Sequence, residues 1–223
     1  MPKIVEKYQT SWDSFNKFHF DCDQSRFLKL FSRLELVKLI SDIPGDIVDA
    51  GVYKGTSTIA FAHLLDAYQP NSRSKVIAFD SFSVEFPRAK LSEIKAVKLH
   101  QESYDKNAYS NLVNVVKKQK LNHRIDIIKG DIVKTFPKYL KSNPGFRISL
   151  LHCDLDTYEP TFELLRHGWS RLVKGGIAVF DEYAVGMWGE SNAVDDFFAT
   201  LDNPPKLQIL KTGPTPTAYC VKL

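Results

Sequence analysis

Two acidic doublets close two apolar runs in this chain. Cys153-Asp154-Leu155-Asp156 follows the run Ile148-Ser149-Leu150-Leu151, and Asp181-Glu182 follows Gly176-Ile177-Ala178-Val179-Phe180. Runs this short and apolar are expected as buried parallel strands, and carboxylates that end such strands emerge at the carboxyl edge, where open α/β sheets bind ligands. Hard oxygen donors converging there make a Mg²⁺- or Ca²⁺-type site, provided the two strands are neighbours. Upstream, Asp49-Ala50-Gly51-Val52-Tyr53-Lys54-Gly55-Thr56 gives a glycine turn of nucleotide-binding type in the same structural position. A metal site beside such a turn points to metal-assisted group transfer.

The turn carries more detail. Gly51 and Gly55 allow positive φ and a close approach to the backbone, while Thr56 and Ser57 present the free amides of a helix start. Asp49 precedes the turn, and Asp80 closes the next apolar run 25 residues after Gly55. That offset is near the roughly 20 residues expected of an acid that binds ribose hydroxyls. The turn lacks the Gly-x-Gly-x-x-Gly dinucleotide fingerprint, and Lys54-Gly55-Thr56 has the wrong order for a P-loop. S-adenosylmethionine, which has no phosphates, suits a turn with two glycines and a neighbouring acid. Gly130-Asp131 ends a third apolar run and reads either as a contact to an adenine amino group or as a turn with Asp131 capping a helix. The candidate cofactor-binding set is Asp49, Gly51, Tyr53, Gly55, Thr56, Ser57, Asp80, Ser81, Gly130, Asp131 and Asp154.

These motifs need an alternating framework, and the apolar pattern predicts one. Ser25 to Ile40 reads as a helix with Ser25 as its cap, Asp46 to Gly51 as the first strand, Thr56 to Tyr68 as a helix and Lys75 to Asp80 as the second strand. Residues 81–108 have no clear period and are too long for a plain connection, so a lid or acceptor loop is expected. Helix and strand then alternate: Tyr109–Lys120, Ile125–Ile128, Lys134–Leu140, Arg147–Leu151, Glu159–Leu172, Gly176–Phe180 and Ser191–Leu201. Two tail strands, Leu207–Leu210 and Ala218–Val221, flank a Gly-Pro turn. The fold class expected is α/β: a Rossmann-like, mostly parallel seven-stranded sheet with a C-terminal antiparallel hairpin and helices on both faces. That closing hairpin is what class I methyltransferases add to a parallel sheet. Residues 1–24, rich in aromatics, read as an N-terminal arm and a possible homo-oligomer contact, and residues 25–223 as one domain.

Composition narrows the partners. The chain has 223 residues, 43% hydrophobic and 25% charged, which is ordinary for a globular domain. A net charge of +4 without a long basic block argues against nucleic acid, and no apolar stretch reaches membrane-spanning length. The N-terminus lacks the apolar core of a signal peptide, and three scattered cysteines imply no disulfide framework, so a cytoplasmic setting is expected.

The motifs Pro44 to Gly55, Phe79-Asp80-Ser81-Phe82, Asp154 to Thr161, Gly175 to Tyr183 and Ala193-Val194-Asp195-Asp196-Phe197 occur in this order. In that order and spacing they resemble the macrocin O-methyltransferase (TylF-like) family. The resemblance implies a metal-dependent enzyme that uses S-adenosylmethionine to methylate a hydroxyl of a sugar, nucleotide sugar or glycosylated natural product. It implies Asp154, Asp181 and Glu182 as metal ligands, with Mg²⁺ or another divalent cation, and Asp156 as general base. The family usually carries Asp-Asp where this chain has Asp181-Glu182.

A metal-coordinated hydroxyl loses its proton more readily, and Asp156 is placed to take it if it lies in reach. Asp156 reads alternatively as a cap for the helix near Glu159. His100, in the expected lid, is a second candidate for the catalytic base or a substrate contact, and otherwise a surface histidine. His152 is expected to pack against the strand edge. Trp188 and Tyr183 are expected either in an acceptor wall or in the core. Two other functions fit the same residues: a phenol-type metal-dependent O-methyltransferase, and an idle module that binds S-adenosylmethionine without turnover.

Overall fold

The structure, a computed structural model, describes residues 2–223. The elements in chain order are α1 (Pro2–Asp21), α2 (Gln24–Leu39), β1 (Asp46–Ala50), α3 (Thr56–Tyr68), β2 (Val76–Asp80), α4 (Ile94–Glu102), α5 (Ala108–Lys118), β3 (Ile125–Lys129), α6 (Ile132–Ser142) and β4 (Ile148–Cys153). They continue with α7 (Tyr158–Gly168), β5 (Leu172–Phe180), α8 (Glu190–Phe198), β6 (Gln208–Ile209) and β7 (Ala218–Val221). All seven strands join one sheet in the order β3-β2-β1-β4-β5-β7-β6. β1 to β5 pair in parallel, and β7 runs antiparallel to both β5 and β6.

Strand alternation splits the core into two layers. One side carries Val48 and Ala50 of β1, Ile77 and Phe79 of β2, Leu151 and Cys153 of β4 and Ala178 and Phe180 of β5, covered by α6, α7 and α8. The other carries Ile47, Val76, Ala78, Leu150, Ile177 and Val179, covered by α2, α3 and α5. Both faces of the sheet are buried, which explains why the strands read as continuous apolar runs.

Some boundaries differ from the sequence reading for local reasons. The cap of α2 is Asp23, not Ser25: its Oδ1 accepts the Ser25 backbone N–H at 2.8 Å. The stretch 81–108 is not a bare loop, because it holds a short 3₁₀ turn at Leu91–Glu93 and all of α4. α7 ends at Gly168, four residues earlier than its pattern suggests, because Leu172 already belongs to β5. Residues 2–21 form the helix α1, on which Tyr8, Trp12, Phe15 and Phe20 are exposed. No helix among the described residues is long and apolar enough to cross a membrane. Cys22, Cys153 and Cys220 are free thiols.

Candidate active site

Sheet register builds the site. Ala50 of β1 pairs with Phe79 of β2 and Cys153 of β4, and Cys153 pairs with Phe180 of β5. The next residue on each strand path is therefore level with the others: Gly51, Asp80, Asp154 and Asp181. Two backbone bonds extend the pairing past the strand ends, Asp154 N–H to Ala50 O at 2.8 Å and Asp181 N–H to Cys153 O at 3.0 Å. The neighbour condition on the two acidic doublets is met, since β4 and β5 are adjacent. Gly51 has φ +90°, and a Cβ there would stand 1.6 Å from the Asp154 carbonyl oxygen. The close approach that requires this glycine thus comes from the β4 backbone itself.

A cavity of about 540 Å³ opens at this edge. Of the residues singled out in the sequence, Gly51, Tyr53, Asp80, Ser81, His100, Asp131, Asp154, Asp156, Asp181 and Glu182 line it. Asp49, Ser57, Gly55, Thr56 and Gly130 are not on its wall. Asp49 is fully buried and accepts the hydroxyls of Ser57 at 2.8 Å and Thr58 at 2.6 Å, so it ties β1 to the start of α3. Gly55 and Thr56 line a separate, shallower depression. Asp131 caps α6 through Val133 N–H at 3.1 Å, and its other oxygen accepts Arg88 at 2.9 Å. Arg88 also pairs with Glu159, joining the 81–108 segment to α6 and α7. Trp188 lines the cavity, whereas Tyr183 packs against the core and donates its hydroxyl to Asp195 at 2.9 Å.

Asp156 reaches the cavity by a different path from the extended one its spacing suggests. β4 stops at Cys153, and Asp156 takes φ +60°. It does not cap α7, whose N-cap is Thr157. His100 sits on α4 with its ring 5.7 Å from that of Tyr53 and 5.4 Å from that of Phe86. Burial pushes its pKa down, and the charge that opposes this is Asp80. His100 and Asp80 line the same cavity.

The carboxylates on the cavity wall act on one another. Burial, then the neighbouring Asp181 and Asp156 charges, push Asp154 well above the usual carboxylate range. Burial, then Glu182 and Asp181, raise Asp156 to about 7. Burial and Asp181 raise Glu182 as well. Asp181 goes the other way: burial opposes ionisation, but the nearby His152, with Lys29, holds it at about 2. His152 is fully buried between two acids, Nδ1 2.8 Å from Asp49 Oδ1 and Nε2 3.7 Å from Asp181 Oδ1. Burial disfavours its charge, but Asp181 and Asp49 raise its pKa to about 10.

His152, Asp154 and Asp181 bring one ligand atom each within 4.8 Å of one another. His152 does not line the cavity, and the two acids beside it favour its protonated form, which suits it to hold Asp181 from behind. The buried Asp181 Oδ1 has no hydrogen-bond partner. Asp154 and Asp181 give this group the hard oxygen donors that suit a Mg²⁺-type cation, whereas Glu182 and Asp156 line the same cavity outside the group. Sequence reading missed three contributors. Lys29 of α2 lies 3.3 Å from Asp181 Oδ2, Glu190 accepts the Glu182 backbone N–H at 2.8 Å, and Arg88 forms the bridge described above.

The metal-free protein is expected to lose thermal stability as pH rises from 6 to 9. His152 has a raised folded-state pKa, so its contribution is complete below about 6.5 and fades as pH climbs toward about 10. The raised pKa of Asp156 acts in the same direction up to about pH 7, where its carboxyl has finished ionising within the cluster. Scanning fluorimetry in EDTA across this range checks it, and a melting temperature that rises with pH refutes it.

The sheet order, the twin core layers and the edge cavity define a Rossmann-like methyltransferase domain. Residues 24–203 match the macrocin-O-methyltransferase (TylF) family, and the chain belongs to that family. Mycinamicin III 3''-O-methyltransferase of Micromonospora griseorubida is 29% identical over 150 residues, covering 64% of this chain and 57% of that protein. A tetracenomycin-C 4'-O-methyltransferase of Streptomyces olivaceus, named for its 8-demethyl-8-(2,3-dimethoxy-alpha-L-rhamnosyl) substrate, is 28% identical over 151 residues, 66% of this chain and 56% of that protein. The aligned part thus spans less than two thirds of these relatives' length. The crystal structure of a calicheamicin methyltransferase matches with a TM-score of 0.83 at 26% identity, covering 95% of this chain and 85% of that one. A TDP-rhamnose 3'-O-methyltransferase of calicheamicin biosynthesis, in its apo structure, matches with a TM-score of 0.70 at 28% identity, covering 93% and 84%.

Proposed function

We propose that this chain is an S-adenosylmethionine-dependent, divalent-cation-assisted O-methyltransferase acting on a hydroxyl of a sugar, nucleotide sugar or glycosylated natural product. The observation that carries this reading is one cavity lined by two kinds of residue. Gly51, Tyr53, Asp80 and Ser81 are on its wall, and so are Asp154, Asp156, Asp181 and Glu182. The first set suits a nucleoside and the second a cation with an acceptor hydroxyl. The sugar assignment is supported by the printed activities of the relatives and by Trp188 and Phe86 on the cavity wall, since sugars pack against aromatic faces. The partner assigned is a small-molecule acceptor. The exposed aromatics of α1 support self-association through that segment, and the three free thiols support a cytoplasmic setting.

Bound beside Asp154, Asp181 and Glu182, the cation would stabilise an alkoxide. The acceptor oxygen forms its new bond to the sulfonium methyl as the carbon–sulfur bond breaks, and the hydroxyl proton passes to the Asp156 carboxylate. Asp156 is suited to that role by its place on the wall and by a pKa near neutrality. The remaining contribution is alignment of sulfur, methyl and oxygen in line.

Asp80 is the residue this reading assigns to the cofactor ribose. Its Oδ2 accepts Tyr53 N–H at 2.7 Å and its Oδ1 accepts Phe82 N–H at 2.6 Å, so the carboxylate is fixed with lone pairs left for ribose hydroxyls. Asp80→Ala is expected to weaken S-adenosylmethionine binding by about 1–3 kcal/mol. Unchanged affinity by calorimetry rejects this placement of the ribose. The function as a whole is tested by incubating the chain with S-adenosylmethionine, Mg²⁺ and a panel of nucleotide sugars and glycosides, with product mass as the readout. Methylation of catechols alone, with no sugar product, overturns the sugar assignment.

A further inference from the structure

We propose that the Lys29 ammonium is the built-in counter-ion of the carboxylate cluster and that a divalent cation must displace it to bind. The proposal rests on the cation-assisted reading above and adds a residue to it. Lys29 projects from α2, on the second core layer, into the cavity at the carboxyl edge. Its Nζ lies 3.3 Å from Asp181 Oδ2, with the lysine side chain 25% exposed and that of Asp181 1% exposed. Among the described residues, the cluster's other cationic partner is His152, which is fully buried behind Asp181 and shared with Asp49. Arg88, the other cationic side chain on the cavity wall, is committed to Asp131 and Glu159. Lys29 is thus the cation that reaches the cluster from the cavity side, through Asp181.

The physical argument is charge balance. Four carboxylates facing one cavity repel each other, and a single ammonium against Asp181 relieves part of that repulsion. Small hard cations bind such oxygens at about 2–2.6 Å, so a cation on Asp181 and an ammonium in hydrogen-bonding range of it oppose each other. Lysine suits a displaceable role because its charge sits on a flexible four-carbon stem that can swing toward solvent.

The test is a Mg²⁺ titration by calorimetry of the full chain and of Lys29→Met, paired with melting in EDTA. Lys29→Met is expected to bind Mg²⁺ about tenfold more tightly and to melt at lower temperature in EDTA. Lys29→Arg, which keeps the charge, should stay near the unaltered affinity. A purely structural salt bridge would lower stability but would not tighten Mg²⁺ binding. Equal or weaker Mg²⁺ binding by Lys29→Met overturns the proposal and leaves the cation reading standing. No Mg²⁺ binding by either protein removes the cation reading and this proposal together. If Lys29→Met does not fold, lysine ¹³Cε resonances of the unaltered chain give the same decision. The Lys29 signal must move toward that of solvent-exposed lysines as Mg²⁺ is added, and a signal indifferent to saturating Mg²⁺ overturns the proposal.

Discussion

Excess EDTA is expected to stop methyl transfer by this chain, and added Mg²⁺ to restore it. The expectation follows from where the register puts the carboxylates, since Cys153 and Phe180 are paired and the acids that follow them share one cavity wall. Asp154→Ala should reduce turnover by more than about 10²-fold, the upper end of what losing even an outer-shell partner of a metal costs. The same variant should melt no lower than the unaltered chain in EDTA, because Asp154 is itself destabilised by burial and by Asp181 and Asp156. Asp181 needs a gentler substitution. Its carboxylate faces the buried, protonated His152, and Asp181→Ala would strip that cation of one partner, a loss of about 3–5 kcal/mol when a buried pair is broken. Asp181→Asn keeps a polar oxygen and is the variant to assay, with circular dichroism to establish folding. Full turnover in excess chelator removes the metal from the mechanism.

The parts of this site that were legible in the sequence are those fixed by strand ends. Apolar runs with a definite last residue give strands, and a parallel sheet with helices on both faces puts Gly51, Asp80, Asp154 and Asp181 on one edge. What could not be read were contacts that depend on how separate elements pack. Lys29 lies on a helix whose other polar residues, such as Arg26 and Glu35, look alike in sequence, and only the docking of α2 sends it toward β5. His152 reads as one more strand residue until Asp49 and Asp181 are seen on either side of it. Asp131 shows how two readings of one side chain can coexist. It caps α6 and holds Arg88, yet still lines the cavity. The glycine turn divides as well: Gly51 faces the cavity, while Gly55, where a Cβ would stand 2.2 Å from Leu112, serves the packing of α3 on α5.

Asp156→Asn is expected to lower kcat by about 10²–10⁴-fold, the usual cost of removing a general base, with little change in S-adenosylmethionine affinity. Three observations favour Asp156 over His100 as the base of the proposed reaction. Burial, then Glu182 and Asp181, raise Asp156, with a smaller contribution from Asp80, whereas Asp80 is the one carboxylate charge acting on His100. Its φ of +60° turns it off the β4 path at the cavity wall, and it makes no cap for α7 that would explain its presence there. Its pKa of about 7 in the metal-free cluster leaves a carboxylate basic enough to accept a proton near neutrality. A base works in its ionised form, so kcat should rise with pH through the Asp156 pKa and then level. Lys29 lowers that pKa, and a bound cation would lower it further, so the rising limb belongs at or below about pH 7. The asparagine variant should lose the limb along with the rate. If His100→Ala carries the large loss and Asp156→Asn keeps both rate and limb, the proton goes to α4, and the Asp156 carboxylate serves only the charge balance of the cluster.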